Sequence, residues 1–475
     1  MSQDKPLEIA IIGIGFTGMM TAVQLIRQAT SPLALYLIND KYEFGKGPAY
    51  STASAKHILN VPAAKMSAFA DQPNHFLDWA HQQDKYKEID KEVLGKVFMP
   101  RREFGKYLNA IWNEAVSNKL PDTVIHIIKD IAVDISTELG KNIITLESNK
   151  TVSADYVILS TGNESPRNLP VSDPTLYDDP NYIGDPWNNK AIENLDPDKD
   201  VFIIGNGLTM VDTVLNIMDT GFKGKIHTLS PGGLAISPYR FGYIPYTKMV
   251  EELKVPYKLS ELFSLISKHV KLLVNAGLSA EPVIDSLRPL TQKIWKELSL
   301  EDKQRFLKYM MSTWNQIRHR MPGHMYDYLV RLQLSGRLIV HSGRIVDMTK
   351  GEGELTVEIL RKNEKSSEKM IVSRIINCIG PSTYIAQSTN PLIRSLVSKG
   401  MLQADPLRVG MHVTDQWTLI DRSGKEIPTI YAMGGNLKGL LWETTAVPEL
   451  RGQAEKMAGE LLAKHQAESA QASAQ

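Results

Sequence analysis

A chain of 475 residues, 43% hydrophobic and 23% charged, can bury large cores and divide into two or three domains. Its formal net charge of +1 sets up no global field for nucleic acid or anionic lipid, and no basic–aromatic stripe is present. One cysteine, Cys378, excludes intrachain disulfides and any Cys-x-x-Cys pair, and with them disulfide reduction of the usual intrachain dithiol kind.

The N-terminus, Met1 to Glu8, carries acids and does not read as a signal peptide. The first apolar run ends in Gly13-Ile-Gly15-Phe16-Thr17-Gly18, a strand-to-helix turn rich in glycine. The longest apolar stretch, Ile9 to Val23, is broken by that turn and is too short to span a bilayer, so a cytoplasmic protein without a membrane partner is expected. A helix follows with Ala22, Val23, Leu25 and Ile26 on one face, then a strand from Leu33 to Ile38 that ends on Asn39-Asp40. An acid at that distance from the glycines is where a dinucleotide fold binds ribose hydroxyls.

The loop Phe44 to Ser51 contains Gly47-Pro-Ala-Tyr50, and the irregular stretch from His57 to Met66 contains Asn60-Val61. Pro100-Arg101 leads into a helix from about Glu103 to Val116, and short strands follow near Val124–Ile128 and Ile143–Glu147. A buried strand then ends in Thr161-Gly162, and a similar ending, Asn377-Cys-Ile-Gly380, recurs late in the chain. Residues 164–200, rich in Pro, Asn and Asp, read as a linker.

A second glycine turn, Gly205-Asn-Gly207-Leu208-Thr209-Met210, follows the apolar run Val201–Ile204. Glycine lets the backbone approach a pyrophosphate, whose charge then sits on the N–H groups of a helix N-terminus. Two such turns point to two cofactors meeting, typically FAD and a nicotinamide. The next strand ends at Ser230-Pro-Gly-Gly, without an acid or an arginine. Residues about 245–330 read as a helical insert, in which Arg318-His-Arg320 reads as cations closing a helix before Pro322. Near the end come Gly434-Gly-Asn436 and Trp442-Glu-Thr-Thr445, then a helix to about Leu462 and a tail at 466–475 expected to be disordered.

The expected fold is α/β, with two Rossmann-like dinucleotide-binding domains. The FAD domain is discontinuous, from residues 1–190 and 376–465, and 191–375 form the NAD(P)-binding-like domain with its insert. With these motifs aligned, the chain resembles the YdhS-type FAD/NAD(P)-binding proteins, a branch of the two-dinucleotide flavoproteins. The likeness runs through the first glycine turn, Gly47-Pro-Ala-Tyr50-Ser, Leu59-Asn60-Val61, Pro100-Arg101, Thr161-Gly162, the Gly205 turn with Asp212, Arg318-His-Arg320, Asn377-Cys-Ile-Gly380-Pro381 and Trp442-Glu443 to Arg451. It implies FAD in the first unit and NADPH or NADH at the second.

On that footing Gly13, Gly15, Phe16, Thr17 and Gly18 hold the FAD diphosphate, and Asn39 and Asp40 lie at the adenosine ribose. Tyr50, Arg101, Thr161, Gly162 and Gly434 line the cofactor, while Asn60, Val61, Trp442 and Thr445 approach its ring. Gly205, Gly207, Leu208 and Thr209 serve the nicotinamide. NADPH-dependent members carry arginines after the strand that here ends at Ser230, which leaves Arg240 as the one cation for a 2′-phosphate. No general acid or base stands out, and His57 is the one catalytic candidate, by proximity to the motifs. The 11 histidines show no metal-ligand spacing, so no metal is expected.

The leading reading is an NAD(P)H-using, FAD-dependent monooxygenase acting with O2 on a small nucleophile such as an amine. A flavin dehydrogenase, oxidase or reductase that inserts no oxygen is the alternative, as is a non-catalytic redox-sensing flavoprotein. Substrate, nicotinamide choice and oligomeric state are not encoded legibly.

Overall fold

The computed structural model describes residues 6–40, 42–52, 54–187, 191–233, 236–242 and 245–473. The first five residues of the Met1–Glu8 stretch, read as no signal peptide, and the last two residues of the tail lie outside them. In chain order, β1 (Leu7–Ile12), α1 (Phe16–Gln28) and β2 (Leu33–Ile38) are followed by α2 (Arg101–Ser117) and β3 (Val124–Ile128). Next come β4 (Ala132–Glu138), β5 (Lys141–Leu146), β6 (Thr151–Ala154), β7 (Tyr156–Leu159) and β8 (Tyr182–Ile183). β9 (Val201–Ile204), α3 (Leu208–Asp219) and β10 (Ile226–Ser230) precede a helical stretch, then β11 (Leu338–Lys350), β12 (Leu355–Arg361), β13 (Glu368–Val372) and β14 (Arg374–Asn377). β15 (Thr418–Ile420), β16 (Glu426–Ala432) and α4 (Val447–Ser473) close the chain.

Two compact units result. The first comprises residues 1–164, 289–303 and 383–475; the second comprises 165–288 and 304–382. These limits differ from the expected 190/191 and 375/376. The stretch read as a linker contributes β8, which pairs with β14 in the second unit's sheet.

In the first unit, six strands run in the order β15-β16-β7-β1-β2-β3, parallel except for β15. β1 and β7 are apolar along nearly their whole length because helices or loops cover both faces of a parallel sheet. The register sets Ile12 beside Leu159, and Leu159 beside Ala432. Residues following three strands remote in sequence (Gly13, Ser160 and Met433-Gly434) therefore meet at one carboxyl edge. That is the physical content of the discontinuous domain. β4, β5 and β6 form a separate antiparallel sheet, turned by Leu139 and Gly140 at φ of 49° and 80°.

The second unit repeats the design. Its order is β13-β12-β11-β10-β9-β14-β8, parallel among the five strands from β11 to β8. Ile204 pairs with both Leu229 and Asn377, so Ser230 and Cys378 come to lie beside Gly205. The insert is helical as expected, with Leu259–Asn275 its longest helix. Arg318 does close a helix, but Arg320 departs from the expected role: it is buried and makes a two-pronged contact to Asp285 at 3.0 and 2.9 Å.

The tail also departs from expectation. α4 continues to Ser473 instead of fraying after Leu462, because Glu468 accepts a 2.7 Å hydrogen bond from Tyr156 and Gln466 donates one of 3.0 Å to Thr30. Its Ala- and Gln-rich sequence is helix-permissive once such anchors exist. Among the described residues no helix is long and apolar enough to cross a membrane.

Candidate functional site: two glycine turns of one shape

Gly13 has φ +90° and Gly205 has φ +103°. A β-carbon on Gly13 would stand 2.4 Å from the Ser160 carbonyl oxygen, and one on Gly205 would stand 2.6 Å from that of Cys378. Only glycine fits a positive φ pressed against a neighbouring strand end. Each turn then enters its helix through a second glycine: Gly15 at φ −83°, ψ −160°, and Gly207 at φ −81°, ψ −174°. Neither cap carries a side-chain acceptor, so no side chain caps the first-turn N–H groups of α1 and α3. A positive helix end beside a side-chain-free backbone is a place for a diphosphate. The likeness extends inward. Thr21 donates to the Thr17 carbonyl and Thr213 to that of Thr209, each at 2.8 Å.

The third position separates the turns. A β-carbon on Gly18 would meet the Gly13 oxygen at 2.2 Å and Ser160 Oγ at 2.6 Å, whereas Met210 is accommodated and buried in the second unit.

Around the first turn, several predicted residues come together. Gly45 donates its N–H to the Ile14 carbonyl at 2.9 Å, which lays the following loop across the turn. A β-carbon on Gly15 would lie 3.7 Å from the α-carbon of Gly47. Tyr50 packs on Phe16 and Phe104, with ring centres 6.5 and 4.7 Å apart. Burial pushes its phenol up to about 12, with Arg101 acting in the opposite sense. Gly434 arrives from the far end of the chain: a β-carbon there would stand 3.3 Å from Thr17 Oγ1. Thr161 Oγ1 accepts a 3.2 Å bond from Asn436, which also donates to the Leu159 carbonyl.

Other predicted residues take bracing positions. Asn39 accepts from the Ile14 N–H at 3.2 Å and donates to the Tyr42 carbonyl at 2.8 Å, so its carboxamide holds the turn. Asp40, one residue on, is exposed at the strand tip. His57 is buried, its Nδ1 2.6 Å from Thr52 Oγ1 and its carbonyl accepting from the Arg101 N–H at 2.7 Å. Arg101 opens α2 and donates from Nε to the Ile58 carbonyl at 3.2 Å. Asn60 and Val61 are half-buried just beyond, Gly162 is exposed at φ +76°, and Thr445 is exposed beside Gly435.

Sequence reasoning missed three residues. Gln453 accepts from the Gly434 N–H at 3.0 Å and donates to Thr444, which in turn bonds the Gly434 carbonyl at 3.2 Å. Trp295 stacks on Trp442 with ring centres 4.8 Å apart and bonds the Gly439 carbonyl at 2.9 Å. Lys438 lies 5.3 Å from the centre of the Trp442 ring, and burial lowers its pKa. Only glutamine's place on a helix face and tryptophan's bulk were visible beforehand, and neither names a partner.

In the second unit, Leu208 and Thr209 form the first turn of α3. Arg240, the one cation offered for a 2′-phosphate, is exposed and its Nε lies 3.5 Å from Glu281. Cys378 is fully buried, and burial pushes its thiol up to about 12.

Residues 10–164 match a protein-family model described as FAD-NAD(P)-binding. No curated protein matches the sequence. Among solved structures, the chain is similar to an ornithine N-hydroxylase of Kutzneria sp. 744, at 13% identity and a TM-score of 0.66, over 97% of this chain and 100% of that one. It is similar to an L-lysine 6-monooxygenase of Pseudomonas syringae at 13% identity and a TM-score of 0.64, over 96% of this chain and 99% of that one. A bacillithiol disulfide reductase of Staphylococcus aureus aligns at 12% identity and a TM-score of 0.56, over 97% and 99%. The fold is that of the two-domain FAD/NAD(P)-binding flavoproteins. Identities this low establish the architecture and leave the chemistry to the site.

Proposed function

We propose that this protein is a cytoplasmic FAD-dependent monooxygenase that draws hydride from NADH or NADPH and acts with O2 on a small amine. Its finer placement is among the YdhS-type proteins. The observation that carries the reading is the pair of glycine turns with one backbone geometry, each ending in a helix without a side-chain cap. A protein needs two such turns when it binds two dinucleotides. The amine follows from the substrates named for the ornithine and lysine enzymes that share the fold over nearly their whole length.

The residues present fit FAD. Gly13, Gly15 and Gly18 leave a side-chain-free cradle at the α1 N-terminus, with Phe16 and Thr17 supplying first-turn N–H groups. Asp40 is free to accept from ribose hydroxyls, and Arg101 holds a positive charge beside Tyr50. Gly434, Thr161 and Asn436 stand at the same carboxyl edge, with Gln453 and Thr444 fixing the Gly434 backbone. Asn60, Val61, Trp442 and Thr445 would border the ring. Bound there, FAD would accept hydride and pass reducing equivalents to O2. The chain's own part is to orient the cofactor, keep water out with the Phe16–Tyr50–Phe104 cluster, and place the amine. His57 sits in this assembly as a brace for the loop and the start of α2.

Disulfide reduction through a thiol of this chain is disfavoured, because its one cysteine is buried and held protonated. The test is purification, a visible spectrum, and anaerobic reduction with nicotinamide followed by O2 and a panel of amines. A yellow protein that forms a hydroxylamine from one of them supports the reading. Peroxide in full yield with every amine, or protein that stays colourless with excess FAD, overturns it.

A further inference from the structure

The two turns match in backbone, yet differ in the residue between their first two glycines. In the first unit that residue is Ile14, fully buried and apolar. In the second it is Asn206, 7% exposed. Its Nδ2 donates to Ser230 Oγ at 3.0 Å, while its Oδ1 is buried and has no hydrogen-bond partner among the described residues. A desolvated acceptor without a donor is costly, and a bound group that donates to it would remove that cost.

Ser230 is the last residue of β10 and stands next to Gly205 by register. The tip of this strand, here Ser230-Pro231, is where a dinucleotide fold reads the adenosine ribose: a carboxylate accepts from the 2′-hydroxyl, an arginine neutralises a 2′-phosphate. Here Ser230 Oγ accepts from Asn206 Nδ2 and from the Gly233 N–H at 3.1 Å, which leaves its own hydrogen to be given outward. Pro231 has no N–H to offer an anion. Gly233, at φ +59°, folds back on Ser342, and its N–H is already taken.

We propose that the second turn takes a nicotinamide dinucleotide whose adenosine ribose is unphosphorylated, NADH rather than NADPH, with Asn206 Oδ1 accepting from a ribose hydroxyl beside Ser230. A ribose hydroxyl has the hydrogen that an orphaned carbonyl oxygen lacks. A 2′-phosphate brings only acceptor oxygens and about two negative charges at neutral pH, so the same oxygen repels it. The charge that would offset this is committed elsewhere, since Arg240 faces Glu281. The inference rests on the two-dinucleotide reading and narrows its nicotinamide.

Equilibrium titration of the full-length protein with NAD+, NADP+, ADP-ribose and 2′-phospho-ADP-ribose, by calorimetry and without turnover, tests it. NAD+ and ADP-ribose are expected to bind at least about tenfold more tightly than their 2′-phosphorylated counterparts. Asn206→Leu is expected to weaken NAD+ by about tenfold and leave NADP+ within about twofold. Urea midpoints of Asn206→Leu, read beside its titration, separate a lost contact from a lost fold. Ser230→Arg raises NADP+ affinity. NADP+ binding as tightly as NAD+, no binding of either at about 1 mM, or an Asn206→Leu protein that binds NAD+ like the parent overturns the proposal. Because no oxygen chemistry is read, a failure here is distinct from a failure to hydroxylate an amine.

Discussion

The α-carbon of Gly13 lies so close to Ser160 that a methyl group on it would stand 2.4 Å from the serine carbonyl oxygen. Gly162, at φ +76°, has a positive backbone angle too, but open space where its side chain would be. The two glycines therefore answer differently to one added carbon. Gly13→Ala carries both backbone strain and a collision with a sheet strand, and is expected to cost about 3 kcal/mol or more and to empty the protein of flavin. Gly162→Ala carries only the left-handed penalty, about 1–2 kcal/mol. Urea midpoints and flavin-to-protein absorbance ratios measure both. Equal losses in the two variants would mean that the Gly13–Ser160 approach is not what requires glycine.

Asn39 and Asp40 are neighbours with opposite duties. Asn39→Ala removes the acceptor for the Ile14 N–H and the donor to the Tyr42 carbonyl, so a stability loss of about 1–3 kcal/mol is expected. Asp40→Ala alters an exposed side chain and is expected to change stability by less than about 0.5 kcal/mol, while weakening FAD retention by about five- to tenfold. Denaturation curves and FAD titration of the apoprotein read the two effects separately. An Asp40→Ala protein that holds FAD like the parent would remove the ribose contact.

Glycine spacing was the most legible part of the chain because it encodes backbone conformation directly: a positive φ and a missing side chain are properties of one residue type. Both turns and their strands could be read that way, whereas Gly434 came only with the family resemblance. The remainder depends on partners that no local pattern announces. β8 is two residues long, Tyr182–Ile183, too short for any periodicity to mark it inside a Pro- and Asp-rich segment. Residues 289–303 join the first unit through Trp295 and its stack on Trp442, although they sit within a helical run otherwise belonging to the second. The tail looked unable to order itself, and alone it would not; Tyr156 and Thr30 supply what its sequence lacks. At the site, a carboxamide next to an acid (Asn39-Asp40) looked like two ligands, and the hydrogen-bond needs of the turn assigned one of them inward.

His341 gives the second unit a pH dependence. On adjacent strands, its Nε2 lies 3.0 Å from His227 Nδ1, and His227 Nε2 lies 3.3 Å from Asp200. Burial, then the charges of His227 and Arg361, push His341 down from 6.5 to about 4. The unfolded chain therefore binds this proton first as pH falls, and stability present above about 6.5 is lost progressively down to about 4. The shift corresponds to about 3 kcal/mol at most across that window. Urea midpoints between pH 7 and 4.5 should fall for the parent and fall less steeply for His341→Gln. Parallel slopes would show that His341 is not the group responsible.

Cys378 separates two chemistries available to this fold. Its Sγ is buried 3.5 Å from Thr213 Oγ1, and burial holds the thiol protonated, pushed up to about 12. A thiol in that state is a poor nucleophile at neutral pH. Ellman's reagent at pH 8 should find no reactive thiol in the native protein and one per chain in denaturant. Cys378→Ala should keep nicotinamide oxidation within about twofold while costing about 1–2 kcal/mol of stability for the vacated space. Turnover survives because the residue's carbonyl, which alanine keeps, and not its sulfur forms the wall against which Gly205 turns. Rapid native labelling together with loss of turnover in Cys378→Ala would instead place the sulfur in the reaction, and the oxygen-dependent reading would have to give way to thiol chemistry.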